Sequence, residues 1–164
     1  MKNLYRILGI LLLLPLFSGC NDSDDVAAIF TGKTWKLNFI AIDGDHTMYD
    51  FWEGKTEARK ASIEELKKSD TYTLVFEGLA DGDNIQGNVN GKTITSNVQG
   101  TWNANGKSNN FRATVKGNND DALARNFLEG LNNAVKYEGD SKNLYILYKN
   151  QSTARTFRMF FTVK

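Results

Sequence analysis

Apolar and polar residues alternate through most of the chain after residue 32. Near the start of this region Trp35, Leu37 and Phe39 share one face, and the last run, 157–163, repeats the pattern with Phe and Met. A period of two in aromatic and β-branched residues predicts half-buried strands. Nine such segments are predicted, at 33–42, 71–78, 84–89, 92–98, 99–104, 109–115, 134–139, 142–148 and 153–163.

The predicted strands are separated by short turn-forming sequences. Asn90-Gly91 and Asn105-Gly106 are typical of type I′ hairpin turns, which need positive φ at both central residues. Short connections favour antiparallel neighbours. We therefore expect a mainly β fold, an antiparallel β-barrel of about eight to nine strands, with Trp35 and Trp102 in its core.

Two segments break the alternation. Residues 120–133 predict an amphipathic helix, because Leu123, Phe127 and Leu131 recur at i, i+4 and i+8. The insertion at about 50–69 is predicted to be partly helical, and Ser62-Ile63-Glu64-Glu65 fits a capping box.

The N-terminus has the three parts of a secretory signal peptide. Lys2 and Arg6 precede an apolar stretch over 7–17, and small residues lead to Cys20, the only cysteine. Phe17-Ser18-Gly19-Cys20 resembles a bacterial lipobox, which implies cleavage before Cys20 and covalent attachment of lipid to its thiol. Two acyl chains suffice for stable membrane anchoring.

This interpretation divides the chain into a signal peptide (1–19), a lipidated cysteine with an acidic tether (20–32) and a single β-barrel domain (33–164). Loss of Lys2 and Arg6 would change the formal net charge from +1 to −1, so no basic surface for nucleic acid is expected. The acidic residues after Cys20 resemble the export signal of surface lipoproteins. We therefore expect a lipid-anchored outer-membrane protein, with a preference for the outside face.

The strand order also resembles the META domain family of bacterial envelope proteins. The resemblance rests on Trp35-Lys36-Leu37, on Leu144-Tyr145-Ile146-Leu147 and on the aromatic-rich final strand. The cysteine of the family's Gly-Cys-Asn hairpin is missing from the nearest stretch, Gly100-Thr101-Trp102-Asn103. A lipocalin-like barrel is the alternative. The resemblance implies no catalytic residues, because the META family has none agreed.

Few residues suggest chemistry. His46, the only histidine, is predicted to lie in a solvent-facing loop. Asp43, Asp45 and Asp50 could offer oxygens to Ca²⁺, but the ligand order of an EF-hand is missing and turn formation explains them more simply. We expect no catalytic residue, no metal and no cofactor.

Tyr49, Phe51 and Trp52 form an aromatic cluster in a predicted loop. Exposed aromatic residues could contact a ligand or a partner. The alternative, which we favour, is that they plug one end of the barrel.

Three functions follow from these observations. The first is a non-catalytic, lipid-anchored envelope module that binds a small apolar ligand or a protein, or has a structural role. The second is an interaction or inhibitor lipoprotein that uses the 43–70 insertion. The third and weakest is a glycan or cell-wall hydrolase, for which Asp43, Asp45, Glu53 and Glu77 would be the candidate carboxylates.

Overall fold

The structure is a computed structural model that describes residues 22–164, with side chains from Val26 onward. Eight strands and three helices make up this part of the chain. In chain order they are α1 (Asp22–Phe30), β1 (Thr34–Ile42), α2 (Thr56–Lys67), β2 (Thr73–Asp81), β3 (Asn84–Lys92), β4 (Asn97–Asn105), β5 (Phe111–Lys116), α3 (Ala122–Asn132), β6 (Ala134–Gly139), β7 (Asn143–Lys149) and β8 (Thr156–Val163).

All eight strands belong to one antiparallel sheet in the order β5-β4-β3-β2-β1-β8-β7-β6. Its two outer strands approach each other through an isolated bridge between Asn110 and Lys136 and a 2.9 Å hydrogen bond from Tyr137 N to Asn109 O. The sheet curls into a barrel-like shape, although no continuous ladder closes it. The prediction of a mainly β, antiparallel fold with eight to nine strands and a helix at 120–133 is confirmed.

An asparagine side chain covers part of the free edge of β5. The Asn132 amide accepts a 2.8 Å hydrogen bond from Val115 N and donates one of 3.2 Å to Val115 O. Both groups would otherwise be unpaired on a sheet edge, where they could template pairing with another chain. The side chain at the end of α3 thus acts as a short substitute for a neighbouring strand.

One end of the curled sheet, which we call the α1 end, is filled by Phe30. Its ring lies 5.2 Å from Phe76, 4.8 Å from Trp102, 5.4 Å from Phe111 and 5.0 Å from Tyr137, measured between ring centroids. Phe30 is fully buried. The acidic tether predicted over 20–32 therefore ends earlier than expected, because the segment from α1 onward already belongs to the core.

The opposite end, which we call the insertion end, is closed by α3 and by the segment between β1 and β2. Phe127 on α3 points inward, 5.8 Å from the ring of Tyr72 and 6.2 Å from that of Phe161. With aromatic side chains at both ends, the interior of the sheet is occupied by the protein's own residues. A ligand inside the barrel would have to displace them.

The prediction of a hairpin turn at Asn90-Gly91 is wrong. Gly91 lies within β3 opposite Leu74, where a Cβ atom would collide with the carbonyl oxygen of Thr73. The glycine at this position allows the two strands to approach each other closely, and close backbone approach is a known reason for a glycine within a strand. The chain reverses instead at 93–96, where Thr93 N donates to Ser96 O at 2.9 Å.

Replacing Phe30 by alanine tests whether α1 belongs to the core. We expect Phe30→Ala to lower the free energy of unfolding by about 3–5 kcal/mol, because it leaves a cavity among four aromatic rings. Leu79→Ala is the control and should change it by less than about 0.5 kcal/mol, since Leu79 is 84% exposed. Urea denaturation followed by tryptophan fluorescence measures both, and an effect of Phe30→Ala as small as the control would contradict the assignment.

Candidate functional site

A surface cleft of about 440 Å³ lies at the insertion end, between α2, the residues before it and the start of α3. We call it the insertion cleft. Its apolar walls come mainly from α2 and the aromatic segment before it. Its walls include Phe51, Trp52, Ala61, Ile94, Asp121 and Arg125.

The three predicted aromatic residues are brought together here and pack against the core. Tyr49 and Phe51 lie 5.0 Å and 5.8 Å from the ring of Phe157. Trp52 is 3% exposed, and its Nε1 donates a 2.9 Å hydrogen bond to Ser62 Oγ. The cluster therefore packs as the favoured plug arrangement requires, while Phe51 and Trp52 also line the cleft.

The helix of the insertion begins earlier than the capping-box pattern suggests. It starts at Thr56, so Ser62 lies in its middle and accepts from the indole of Trp52 rather than capping the helix. The turn before the helix is held by Asp50, whose carboxylate accepts from the backbone N–H groups of Trp52 and Gly54 at 3.1 Å each. Asp50 thus has a turn-forming role, as the simpler interpretation of the sequence predicts.

Asp121 supports the opposite wall of the cleft. Its Oδ1 accepts from Ala124 N at 2.7 Å, which caps α3, and from the Tyr72 hydroxyl at 3.0 Å. Burial and the nearby negative charge of Asp121 raise the pKa of Tyr72. The protonated phenol donates this hydrogen bond to Asp121, which links β2 to the start of α3.

The neighbouring Asp120 fixes the β3–β4 turn, and with it the position of Ile94 in the cleft wall. Its carboxylate accepts from Thr93 Oγ1 at 2.7 Å and from the backbone N–H groups of Ile94 and Thr95 at 3.3 Å and 3.2 Å. One side chain thereby ties this turn to the residues just before α3. The cleft walls are consequently held by hydrogen bonds on both sides.

Lys36 anchors the other end of α2. Its Nζ donates to the carbonyl oxygens of Leu66 at 2.7 Å and Thr71 at 2.6 Å, and lies 5.7 Å from the ring centroid of Tyr72. A cation at a helix C-terminus satisfies carbonyl groups that lack a partner within the helix. Burial lowers the pKa of Lys36 to about 8, an effect that exceeds the opposing influence of Asp70.

The cleft combines an apolar floor with charges at its rim. Lys55 and Arg125 supply positive charge, while Glu53 and Glu65 supply negative charge. Glu65 is already paired with Lys68 at 2.7 Å. This arrangement suits a ligand with an apolar body and offers the rim groups for polar contacts.

The residues considered for catalysis or metal binding lie on exposed segments of the chain. His46 is exposed, and its Nδ1 lies 3.5 Å from Arg158 Nη2. The four candidate hydrolase carboxylates are exposed. Asp43 and Asp45 share the loop after β1 with His46, whereas Glu53 lies in the turn before α2 and Glu77 on strand β2. Within residues 22–164 there is no cluster of three or more His, Cys, Asp or Glu residues able to hold a metal ion.

Cys20, the predicted lipidation site, lies outside the described residues. In the described part of the chain, none of the helices has the length and apolar character needed to cross a membrane.

Several cleft residues were not predicted from the sequence. Ile94 and Arg125 reach the cleft only through tertiary packing of the β3–β4 turn and α3 beside the insertion. A signal for Asp121 did exist, because an aspartate just before an amphipathic helical pattern is a typical N-cap.

The family model of a domain of unknown function, DUF4847, matches residues 21–163, and the chain belongs to this family. A crystal structure of a DUF4847 family protein from Bacteroides vulgatus ATCC 8482 is similar, with 24% sequence identity, a TM-score of 0.58 and coverage of 82% of this chain and 95% of that one. A search of curated proteins found no match. The comparison supports the fold, while the META and lipocalin resemblances remain sequence-based expectations.

The half-buried position of Lys36 predicts a pH dependence of stability. Because the pKa of Lys36 is lower in the folded state than the ordinary 10.5, the unfolded chain binds more protons above pH 8. The free energy of unfolding should therefore rise between about pH 8 and pH 10. We expect a rise of only about 1 kcal/mol, since solvent screening reduces the effect of a half-buried group.

Lys36→Met should remove this rise, as urea denaturation at several pH values would measure. Above pH 10 stability should fall in both proteins, because burial raises the pKa values of Tyr72 and Tyr148. If the free energy of unfolding of Lys36→Met rose by the same amount, the pH dependence would come from another titrating group.

Proposed function

We propose that this DUF4847 protein is a non-catalytic, lipid-anchored module of the bacterial cell envelope that binds a small apolar molecule in the insertion cleft. The observation that carries the proposal is the cleft itself, whose walls include Phe51 and Trp52 and whose rim carries charges of both signs. Apolar pockets with a few polar groups are typical small-molecule sites. The filled interior favours a site outside the sheet over one inside it.

The lipid anchor is supported by the sequence before the fold. The charged start, the apolar stretch and the lipobox-like residues end at Cys20, and the family match begins at the next residue, 21. The acidic residues that follow Cys20 favour the outer membrane and its outside face. Non-catalytic function is supported by the positions of Glu53 and Glu77, which lie on other segments than the loop that carries Asp43, Asp45 and His46.

A protein partner is the second candidate for the insertion. Only Ser62 and Leu66 are buried among the twelve residues of α2. The helix therefore presents most of its surface to solvent, which suits an inhibitor or interaction role for the 43–70 insertion. In that case charge-reversing changes on the exposed face of α2 would weaken binding, whereas filling the cleft would leave it unchanged.

Replacing Cys20 tests the anchor. We expect the protein with Cys20→Ser to leave the membrane fraction and lose incorporation of an alkyne-labelled fatty acid, because the thiol that carries the diacylglycerol is gone. Fractionation and mass spectrometry of the N-terminal peptide measure the change. A wild-type protein with an unmodified thiol, or with cleavage at another residue, would defeat the proposed anchor.

Filling the cleft tests the binding site. We expect the uncharged probe N-phenyl-1-naphthylamine to shift the ¹⁹F resonance of 5-fluorotryptophan at Trp52 in a saturable manner. The resonances at Trp35 and Trp102, which do not line the cleft, should stay unchanged. Ala61→Phe should abolish the shift, because Ala61 lines the cleft. Lys60→Phe is the matched control on an exposed neighbouring position of the same helix. Equal shifts in both variants would place binding elsewhere.

A further inference from the structure

The proposed anchor and the fold together restrict how the protein stands on its membrane. Cys20 precedes the first residue of α1 by two positions, and two residues span at most about 7 Å. Helix α1 itself is fixed, because Val26 and Phe30 are 2% and 0% exposed in the core. The lipid attachment point is thus at most about 7 Å from the first residue of a helix whose later part, from Val26 to Phe30, is packed into the α1 end.

The position of α1 relative to the sheet is clear from its contacts. It packs against β2, β3 and β4, and Thr31 bridges to Phe76. Lys33 Nζ ties the end of α1 to the β6–β7 turn by donating to Ala28 O at 2.6 Å and to Ser141 O at 3.0 Å. The same end of the sheet carries the β2–β3 turn, the β4–β5 turn and the last residue, whose N–H donates to Thr34 O at 2.9 Å.

The surface at the α1 end carries exposed apolar side chains. Leu79 and Val163 are 84% and 40% exposed and lie on either side of β1, on β2 and β8. Lys142 and Lys164 lie near Val163, since Val163 N donates to Lys142 O at 3.2 Å. An exposed apolar residue beside lysines, as at Val163, suits contact with the headgroup region of a bilayer. Asp81 on the β2–β3 turn works against deep insertion.

We propose that the α1 end rests directly on the lipid headgroups, with Leu79 and Val163 in shallow contact, and that the insertion cleft faces away from the membrane. This inference rests on the proposed lipid anchor. The membrane surface is the occupant because a lipid on Cys20 could not lie far from this end. A long flexible tether would have left the orientation free, but α1 removes most of its length.

Site-specific fluorescence quenching tests the orientation. Because the sequence has only one cysteine, which would carry lipid, a cysteine introduced by Leu79→Cys or Val163→Cys is the single free thiol. The control is Ser152→Cys, an exposed position in the β7–β8 turn at the insertion end. Each full-length lipoprotein is labelled with nitrobenzoxadiazole and reconstituted in phosphatidylethanolamine–phosphatidylglycerol vesicles containing a headgroup-spin-labelled lipid.

We expect several-fold stronger quenching at positions 79 and 163 than at 152. Inserting a flexible Gly-Ser segment of about ten residues after Asn21, with a reach of about 17 Å, should reduce this difference while the protein stays membrane-bound. Equal quenching at all three positions, or stronger quenching at 152, would overturn the orientation. Quenching at 79 that depends on protein density and not on the spin label would indicate contact with a second copy and overturn it as well.

The two proposals fail in different ways. Mass spectrometry of the reconstituted protein reports whether Cys20 is acylated before any fluorescence is measured. An unacylated protein would overturn the anchor and the orientation together. An acylated protein with uniform quenching would overturn the orientation alone.

Discussion

The packing of Phe30 among four aromatic rings is the interaction on which the rest of the fold depends. The ring touches residues on β2, β4, β5 and β6, so it joins strands that lie far apart in the sheet order. The sheet is not closed by a continuous ladder, and this buried side chain takes the place of the missing strand contacts at the α1 end. It also binds the N-terminal helix to the core, with Trp35 Nε1 donating to Phe30 O at 3.3 Å.

Close packing of the sheet requires small residues on the inward face of β2 to β4. Gly78 and Gly87 lie opposite each other, and a Cβ at either would collide with the backbone of the other strand. The space above them is used by Trp102, whose Nε1 donates to Glu77 O at 3.1 Å. Large rings are thus accommodated by glycines rather than by a wider barrel, and the interior has no need of a ligand to fill it.

Local patterns in the sequence predict most of the sheet and the helix at 120–133, since period-two and 3.6-residue patterns are set by which face is buried. These patterns fail where a glycine can serve either a turn or the close approach of two strands. Gly91 was predicted to form a turn but permits close approach. They also fail at Ile94 and Arg125, because a cleft between a turn and two helices depends on tertiary packing. The role of Phe30 was hidden because α1 carries acidic residues that are typical of a solvated tether.

The two ends of the molecule have different physical constraints, and this difference links the fold to the proposed function. The α1 end is rigid and lies beside the start of the proposed mature chain, so the membrane would constrain it. The insertion end is built from a long connection between β1 and β2. It is held by hydrogen bonds that the Lys36 and Trp52 side chains donate and by one that the Asp50 carboxylate accepts. A connection of this kind can change in sequence without disturbing the sheet, because its anchors are few and most of α2 is exposed. The insertion end can therefore change in sequence while the sheet and the α1 end stay the same.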